Sequence, residues 1–230
     1  MERMLRKLAT DLWVIEHPLR FWGLEVGCRM TAIRLANGDL LFHSPVRLDA
    51  DLRRELDALG PVRYAIAPNR LHHLYAGEVS THYPQARLWI ASGLERKRPD
   101  LALATVLTDE APPEWRGQIE QLYFRGRPFE NEVVFLHRPS RTLLLCDLAF
   151  NFGPSAPWLT RMIMTAMGGY GQFRPTRLDP LLIRNRPQAR QSLETILTWD
   201  FDRVIIAHGE VLESGGREML RAGYHWLLKK

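Results

Sequence analysis

The stretch Val62-Arg-Tyr-Ala-Ile-Ala-Pro-Asn-Arg-Leu-His-His73 decides the fold. Its first half is a short apolar run that reads as a buried strand, and Pro68 stops it. Two histidines then follow in a polar turn. Two further segments have the same build, Thr142-Leu-Leu-Leu-Cys-Asp147 and Val204-Ile-Ile-Ala-His-Gly209. A buried strand that ends in His or Asp holds that side chain on a rigid support, and a following glycine lets the backbone come close to the site. Taken singly, each histidine reads as an ordinary core or surface residue. Taken together, His72, His73, Asp147 and His208 are a borderline donor set suited to zinc, iron or manganese.

Around these segments the pattern is mixed. Leu12–Glu16 and Met30–Leu35 alternate apolar and polar positions, and Asn37-Gly38 ahead of Leu40-Leu-Phe42 predicts a hairpin whose type I′ turn places both Asn37 and Gly38 at positive φ. Asp49–Leu59 predicts a capped helix stopped by Gly60. Strands are expected at Ala86–Ala91, Ile119–Phe124, Glu132–His137, Thr142–Asp147 and Val204–Ala207. The Met-rich run Trp158–Met167 reads as a helix ended by Gly168-Gly169, a second helix starts at Pro187, and a third runs from Gly216 to Lys230. Trp13, Phe21, Trp22 and the Met-rich helix are read as core or lid packing by default, the alternative being the lining of an apolar pocket. Strands before helices in two successive blocks suggest two sheets flanked by helices, with no repeat, linker or boundary, hence one domain over residues 1–230.

A chain of 230 residues with 46% hydrophobic and 25% charged residues is globular rather than disordered. Cys28 and Cys146 are the only cysteines, which argues against a disulfide framework or a cysteine-rich zinc site. No run reaches the roughly 18–20 apolar residues of a membrane-spanning helix. The start, MERMLRKLATDLWVIEHP, lacks the apolar core of a secretory leader, so a cytoplasmic protein is expected. The formal net charge of +5 comes mainly from arginine spread along the chain, a field that suits anionic substrates, nucleic acid or acidic lipid heads, though arginine this dispersed with no aromatic-plus-basic block argues against nucleic acid.

In order and context these segments resemble the metallo-β-lactamase superfamily, whose first motif reads His-x-His-x-Asp-His after a strand. A later histidine, a strand-end aspartate and a final histidine before glycine follow. Laid on Pro68–His73, the first two motif histidines fall on Pro68 and Arg70, the aspartate on His72 and the last histidine on His73. The later histidine falls on Pro128, ahead of Glu132-Val-Val-Phe-Leu-His-Arg-Pro139. A register moved by one residue, with Asn69 at the first histidine and Leu74 at the last, leaves no coherent metal set. The phrases Pro-Asn-Arg-Leu-His-His, Arg-Pro-Ser-Arg-Thr-Leu and Ala-His-Gly-Glu are similar to those of a branch whose function is unassigned.

The resemblance implies an α+β, four-layer αββα sandwich that has lost one metal position and kept the other. It implies one divalent ion, zinc before iron or manganese, on His72, His73, Asp147 and His208. The expected activity is that of a mononuclear hydrolase acting on an anionic small molecule, with Asp147 and His208 as catalytic residues. Arg70, a guanidinium standing at a ligand position, and His43, at a strand end, are the expected substrate contacts. His43 and His17 read equally as rim residues bonded to backbone, and His82, His137 and His225 as surface positions. Glu130 and Glu132 lie near the lost histidine, either one replacing it or both solvated. The alternatives are a non-catalytic domain of the same fold, with or without metal, and an iron-dependent redox protein.

Overall fold

The computed structural model describes residues 5–229, so residues 1–4 of the stretch read for a leader, and Lys230 of the expected last helix, lie outside the described residues. The chain falls into two compact units. One comprises the residues up to Pro18 and from Cys28 to Leu107; the other comprises Leu19–Gly27 and the chain from Thr108 onward. The sequence carries no composition shift at Leu107.

In the first unit, β1 (Leu5–Ala9) and β2 (Leu12–His17) form a hairpin. The short hairpin of β3 (Arg20–Phe21) and β4 (Leu24–Glu25) belongs to the second unit. Next come β5 (Cys28–Arg34), β6 (Leu40–His43), β7 (Val62–Ala67), β8 (Arg87–Ile90) and β9 (Thr105–Val106), which complete a seven-stranded sheet in the order β1-β2-β5-β6-β7-β8-β9. Pairing is antiparallel from β1 to β6 and parallel from β6 to β9. Parallel neighbours need crossovers, and α1 (Ala50–Asp57), α2 (Ala76–His82) and α3 (Leu94–Lys97) supply them. Helix α1 starts where the sequence places it, because the Asp49 carboxylate accepts from the backbone N–H groups of Asp51 and Leu52 while Leu52 and Leu56 are buried. The carboxyl ends of β6, β7 and β8 therefore deliver His43, the loop 68–73 and Ser92-Gly93 to one edge of the parallel strands, the edge at which such sheets present ligand-binding loops.

The Asn37-Gly38 turn differs from expectation. Gly38 alone takes positive φ, at 88°. Its N–H donates to the Leu35 carbonyl at 2.8 Å, and the Asn37 side chain bonds both the backbone N–H and the carboxylate of Asp39. Asn37 spends its amide on this local Asx contact, so the loop is a type I turn followed by a glycine bulge rather than a type I′ turn.

In the second unit, β10 (Ile119–Tyr123), β11 (Val133–His137), β12 (Thr142–Leu144) and β13 (Arg203–Ile205) form a sheet in that order, antiparallel except for the parallel pair β12-β13. Helices α4 (Trp158–Met167), α5 (Asp179–Leu182) and α6 (Arg186–Ile196) lie in the connection from β12 to β13, and α7 (Gly216–Gly223) and α8 (His225–Leu228) close the chain. Phe124, Val134, Leu143, Leu193, Val204 and Tyr224 are part of one buried cluster.

Several expectations are corrected here. The last helix breaks at Tyr224, whose fully buried hydroxyl donates to the Leu148 carbonyl at 2.7 Å, a bond that an unbroken helix does not require. His137 is buried at 2% exposure rather than on the surface, and its Nδ1 bonds Ser140. Trp13 is core, but Phe21 and Trp22 stack on each other and are exposed, as are Trp158 and Met162 on α4. Among the described residues no helix is long and apolar enough to cross a membrane.

Both cysteines are buried and outside any disulfide, and burial, only partly opposed by the Arg29 charge, pushes the Cys28 thiol up to about 12. A thiol reacts as its thiolate. A disulfide-exchange reagent at pH 8 should therefore find no fast-reacting thiol in the native chain and two in denaturant, and rapid native labelling of Cys28 would contradict this packing.

Candidate metal centre

Asp147 and His208 follow the carboxyl ends of the parallel pair β12 and β13 in the second sheet. Backbone N–H groups at that edge leave the ladder: Leu145 N–H still donates to Ile205, but those of Cys146 and Asp147 donate to the Glu132 carboxylate at 2.7 and 2.8 Å. This is why β12 is shorter than the run Thr142–Asp147. At the next peptide, Arg127 Nη1 donates to the Asp147 carbonyl at 3.0 Å. The Asp147 side chain is thus aimed by a backbone held on both sides of its Cα.

His208 is aimed as firmly. Its Nδ1 lies 2.7 Å from the Gly27 carbonyl oxygen, which can only accept, so Nδ1 carries the proton and Nε2 presents its lone pair. Phe150 stacks on the ring. Gly209 has φ of +90°, and a Cβ there would lie 2.4 Å from the Asn151 carbonyl oxygen, so only glycine lets the chain leave His208 in this direction. The His208 Nε2 and Asp147 Oδ1 face each other at 3.6 Å, with both residues buried. That gap is too long for an N–H···O hydrogen bond. Two donors about 2.1 Å from one tetrahedral ion stand about 3.4 Å apart. An imidazole nitrogen and a carboxylate oxygen at this separation, the one oriented through its ring and the other through its backbone, fit a shared divalent cation.

The support beneath Asp147 is a charge cluster that sequence reading missed. Arg127 is buried and pairs with Glu130 (Nε to Oε2, 2.9 Å) and Asp179 (Nη1 to Oδ2, 3.0 Å). Burial alone would lower its pKa, but Asp179, Tyr224, Glu130 and Glu132 outweigh that and hold the guanidinium above its ordinary range. Burial pushes the Glu130 and Asp179 carboxyls up, against the pull of Arg127. Asp179 is further fixed by the Thr176 N–H and hydroxyl at 3.0 and 2.7 Å. Glu130 and Glu132 are therefore neither solvated nor placed as spare metal ligands: one is tied to Arg127 and the other to two backbone N–H groups.

In the first unit, the loop after β7 is folded by Asn69, fully buried, whose Oδ1 accepts from the backbone N–H groups of Leu71 and His72 at 2.9 and 2.7 Å. The His72 Nδ1 lies 2.9 Å from the Ser44 hydroxyl. Ser44 has φ of +55°, an uncommon conformation for a residue with a side chain, directly after β6. His43 is buried, and desolvation, then the neighbouring His72, lowers its pKa to about 3, so it is a neutral imidazole. His17 bonds the Pro18 carbonyl through Nδ1, at a rim position. His73 goes elsewhere: Arg98 Nη1 donates to both its Nδ1 and its carbonyl at 2.9 Å. A ring whose Nδ1 accepts carries its proton on Nε2 and has no lone pair left for a metal. Arg70 donates from Nε to the Ser92 carbonyl at 3.1 Å and lies against Gly93. Of the residues missed, Asn69 had a readable Asx signal in Pro-Asn-x-x, whereas nothing in the sequence marks Ser44 or Arg127.

Comparisons with solved structures place this geometry in a known architecture. A DIM-1 metallo-β-lactamase exposed to ceftazidime is similar at 12% identity over 98% of each chain, with a TM-score of 0.67. The Flv1 flavodiiron core from Synechocystis sp. PCC6803, metal-soaked, is similar at 14% identity over 98% of this chain and 61% of that one, with a TM-score of 0.69. The metallo-β-lactamase FIM-1 from Pseudomonas aeruginosa in its mono-zinc form is similar at 10% identity over 99% and 94%, with a TM-score of 0.61. The chain has the metallo-β-lactamase fold, with mixed sheets and helices in an α+β arrangement. The model of the family described as Domain of unknown function (DUF4336) matches residues 9–172, and the chain belongs to that family. No curated protein matches it.

Removing the guanidinium beneath Asp147 would leave two buried carboxyls without their cation. Arg127→Met should lower unfolding stability by about 3–5 kcal/mol in denaturant titration, whereas Arg138→Met, whose ion pair with Glu120 is half exposed, should change it by less than about 1 kcal/mol. Equal losses in the two variants would show that the cluster is not a support.

Proposed function

We propose that this chain is a mononuclear metal-dependent hydrolase whose ion is held by His72, Asp147 and His208. Each of the three offers one ligand atom, an imidazole nitrogen or a carboxylate oxygen. The observation that carries the reading is the buried confrontation of the His208 Nε2 lone pair with Asp147 Oδ1 at 3.6 Å. His72 Nδ1 also has a partner, the Ser44 hydroxyl, which can accept from a protonated Nδ1, and in that tautomer Nε2 faces a ligand. A ligand histidine whose second nitrogen is so engaged is the usual arrangement at metal sites. With Pro68, Arg70 and Pro128 at the other metal's positions, a second ion has no comparable donors. That one of the similar structures, FIM-1, is a mono-zinc form supports the reading of a single ion.

A divalent ion held there would lower the pKa of a water and polarise a scissile carbonyl or phosphoryl group. The chain's own part is positioning and proton handling. Asp147 is the assigned proton acceptor through the oxygen not facing His208. His208 keeps its Nδ1 proton on the Gly27 carbonyl and so orients rather than shuttles. Arg70 and His43 are the assigned substrate contacts, Arg70 for a negatively charged group.

A second reading has its own support. Two histidines and one carboxylate form the facial set of non-haem iron(II) sites, and one of the similar structures is a flavodiiron core. Metal identity separates the two readings.

Chain purified without chelator and desalted should keep about one equivalent of metal by elemental analysis. Zinc favours the hydrolase, and iron the redox reading. Asp147→Asn should release most of it, and Ser44→Ala should weaken affinity by about 10–100-fold. A wild-type chain that holds no metal after zinc, iron or manganese loading, with Asp147→Asn equally stable, would leave a hydrogen-bonded cluster and a non-catalytic domain.

A further inference from the structure

The second unit turns outward an apolar face that its own packing does not explain. Helix α4 buries Thr160 and Met164 and exposes Trp158 at 68% and Met162 at 56%. Trp158, Met162, Thr165 and Ala166 are exposed at helical spacing, so the outer stripe of this helix carries no charge. A helix on a water-facing surface ordinarily turns its polar side out. The buried Thr160 hydroxyl is satisfied by donating to the Glu25 carbonyl at 2.9 Å, which ties α4 to the β3-β4 hairpin. That hairpin turns through Trp22 and Gly23, both at positive φ, with Trp22 92% exposed and stacked on Phe21. A left-handed backbone is strained for tryptophan, and an exposed indole gains nothing from folding, so the stability of the chain does not account for Trp22.

Cations flank this face. Between Asp147 and Asp179 the chain has three arginines, Arg161, Arg174 and Arg177, and no acidic residue. Arg161 lies three residues after Trp158, beside the exposed stripe, and Arg177 Nη1 donates to the Ala166 carbonyl at the far end of the stripe, at 3.0 Å. Among the described residues, neither Arg161 nor Arg177 is in an ion pair with a carboxylate. The Glu25 charge on the hairpin is met by Arg20 at 2.5 Å, and Glu210 accepts from the Ser155 hydroxyl at 3.3 Å, ahead of the helix start.

We propose that this face docks the protein on an anionic lipid surface. Indole and other apolar side chains enter the headgroup boundary of a bilayer, and arginines at the rim meet the lipid phosphates and carboxylates. Peripheral binding combines these two signals, apolar insertion and electrostatic attraction. A second copy seated on the same face would set unpaired guanidinium groups against each other, whereas an anionic surface neutralises them. The docking face goes beyond the hydrolase reading, does not rest on it and uses none of the metal ligands.

The test sediments the full chain with vesicles of phosphatidylcholine alone and of phosphatidylcholine and phosphatidylserine in equal parts, at low and high sodium chloride. Binding to the anionic vesicles that weakens with salt is expected. Trp158→Ser and Trp22→Asn should each weaken it about tenfold, the loss of one inserted aromatic side chain. Asparagine accepts the left-handed turn better than tryptophan, so Trp22→Asn separates docking from folding. Arg161→Gln should weaken binding about fivefold. Leu103→Ser, fully exposed in the first unit, and Arg217→Gln, an exposed cation of α7, should leave it nearly unchanged. No binding to anionic vesicles, or equal weakening by Arg161→Gln and Arg217→Gln, would overturn the proposal. So would a concentration-dependent dimer in analytical ultracentrifugation that Trp158→Ser abolishes, because a second copy would then cover the face.

Discussion

A single buried guanidinium holds the second unit's chemistry in place. Arg127 sits between Glu130 and Asp179 and reaches past them to the carbonyl of Asp147. A buried charge of this kind is costly unless every partner is present, so its neighbours are interdependent. Asp179 needs Thr176, and Glu132 closes the other side by taking the N–H groups of Cys146 and Asp147. Those two N–H groups are lost to the sheet, which ends β12 early and turns the Asp147 carboxylate out of the ladder. The strand stops where it does because a carboxylate outcompetes the neighbouring strand for its donors.

The same logic sets the histidines. At His208 and His72 the decisive contact is on Nδ1, to a backbone carbonyl in one case and a serine hydroxyl in the other. Fixing one nitrogen fixes what the other presents. His73, one residue further on, shows the converse, because the Arg98 guanidinium on its Nδ1 commits the ring to donating from Nε2. Adjacent histidines in one loop thus have different partners: a guanidinium that can only donate to His73, and a hydroxyl that can also accept from His72.

How much of this was legible depended on whether the signal was local. The strands ending at Ala67 and before His208, the Asp49 cap of α1 and the Met-rich helix ending at Gly168 all follow from short patterns of burial, capping and glycine. The Pro68–His73 and Ala207–Glu210 phrases carried the resemblance, and the fold agrees with it. What could not be read were contacts between distant residues. Arg127 is an ordinary arginine until Asp179 is folded against it. Ser44 is a turn residue until His72 arrives beside it. The helix that the periodicity draws as continuous breaks at Tyr224, whose hydroxyl bonds the distant Leu148 carbonyl. Asn37-Gly38 failed differently: two turn types share that dipeptide, and the Asn37 bond to Asp39 selects between them.

The central proposal is that His72, Asp147 and His208 would hold one divalent ion. Anomalous diffraction from crystals of chain purified without chelator, recorded on both sides of the zinc and iron absorption edges, tests it most directly. The account predicts one peak per chain, about 2.0–2.2 Å from a nitrogen of each histidine and an oxygen of Asp147. A well-ordered map with no peak there after metal loading, or a peak bound by His73 in place of His72, would contradict it.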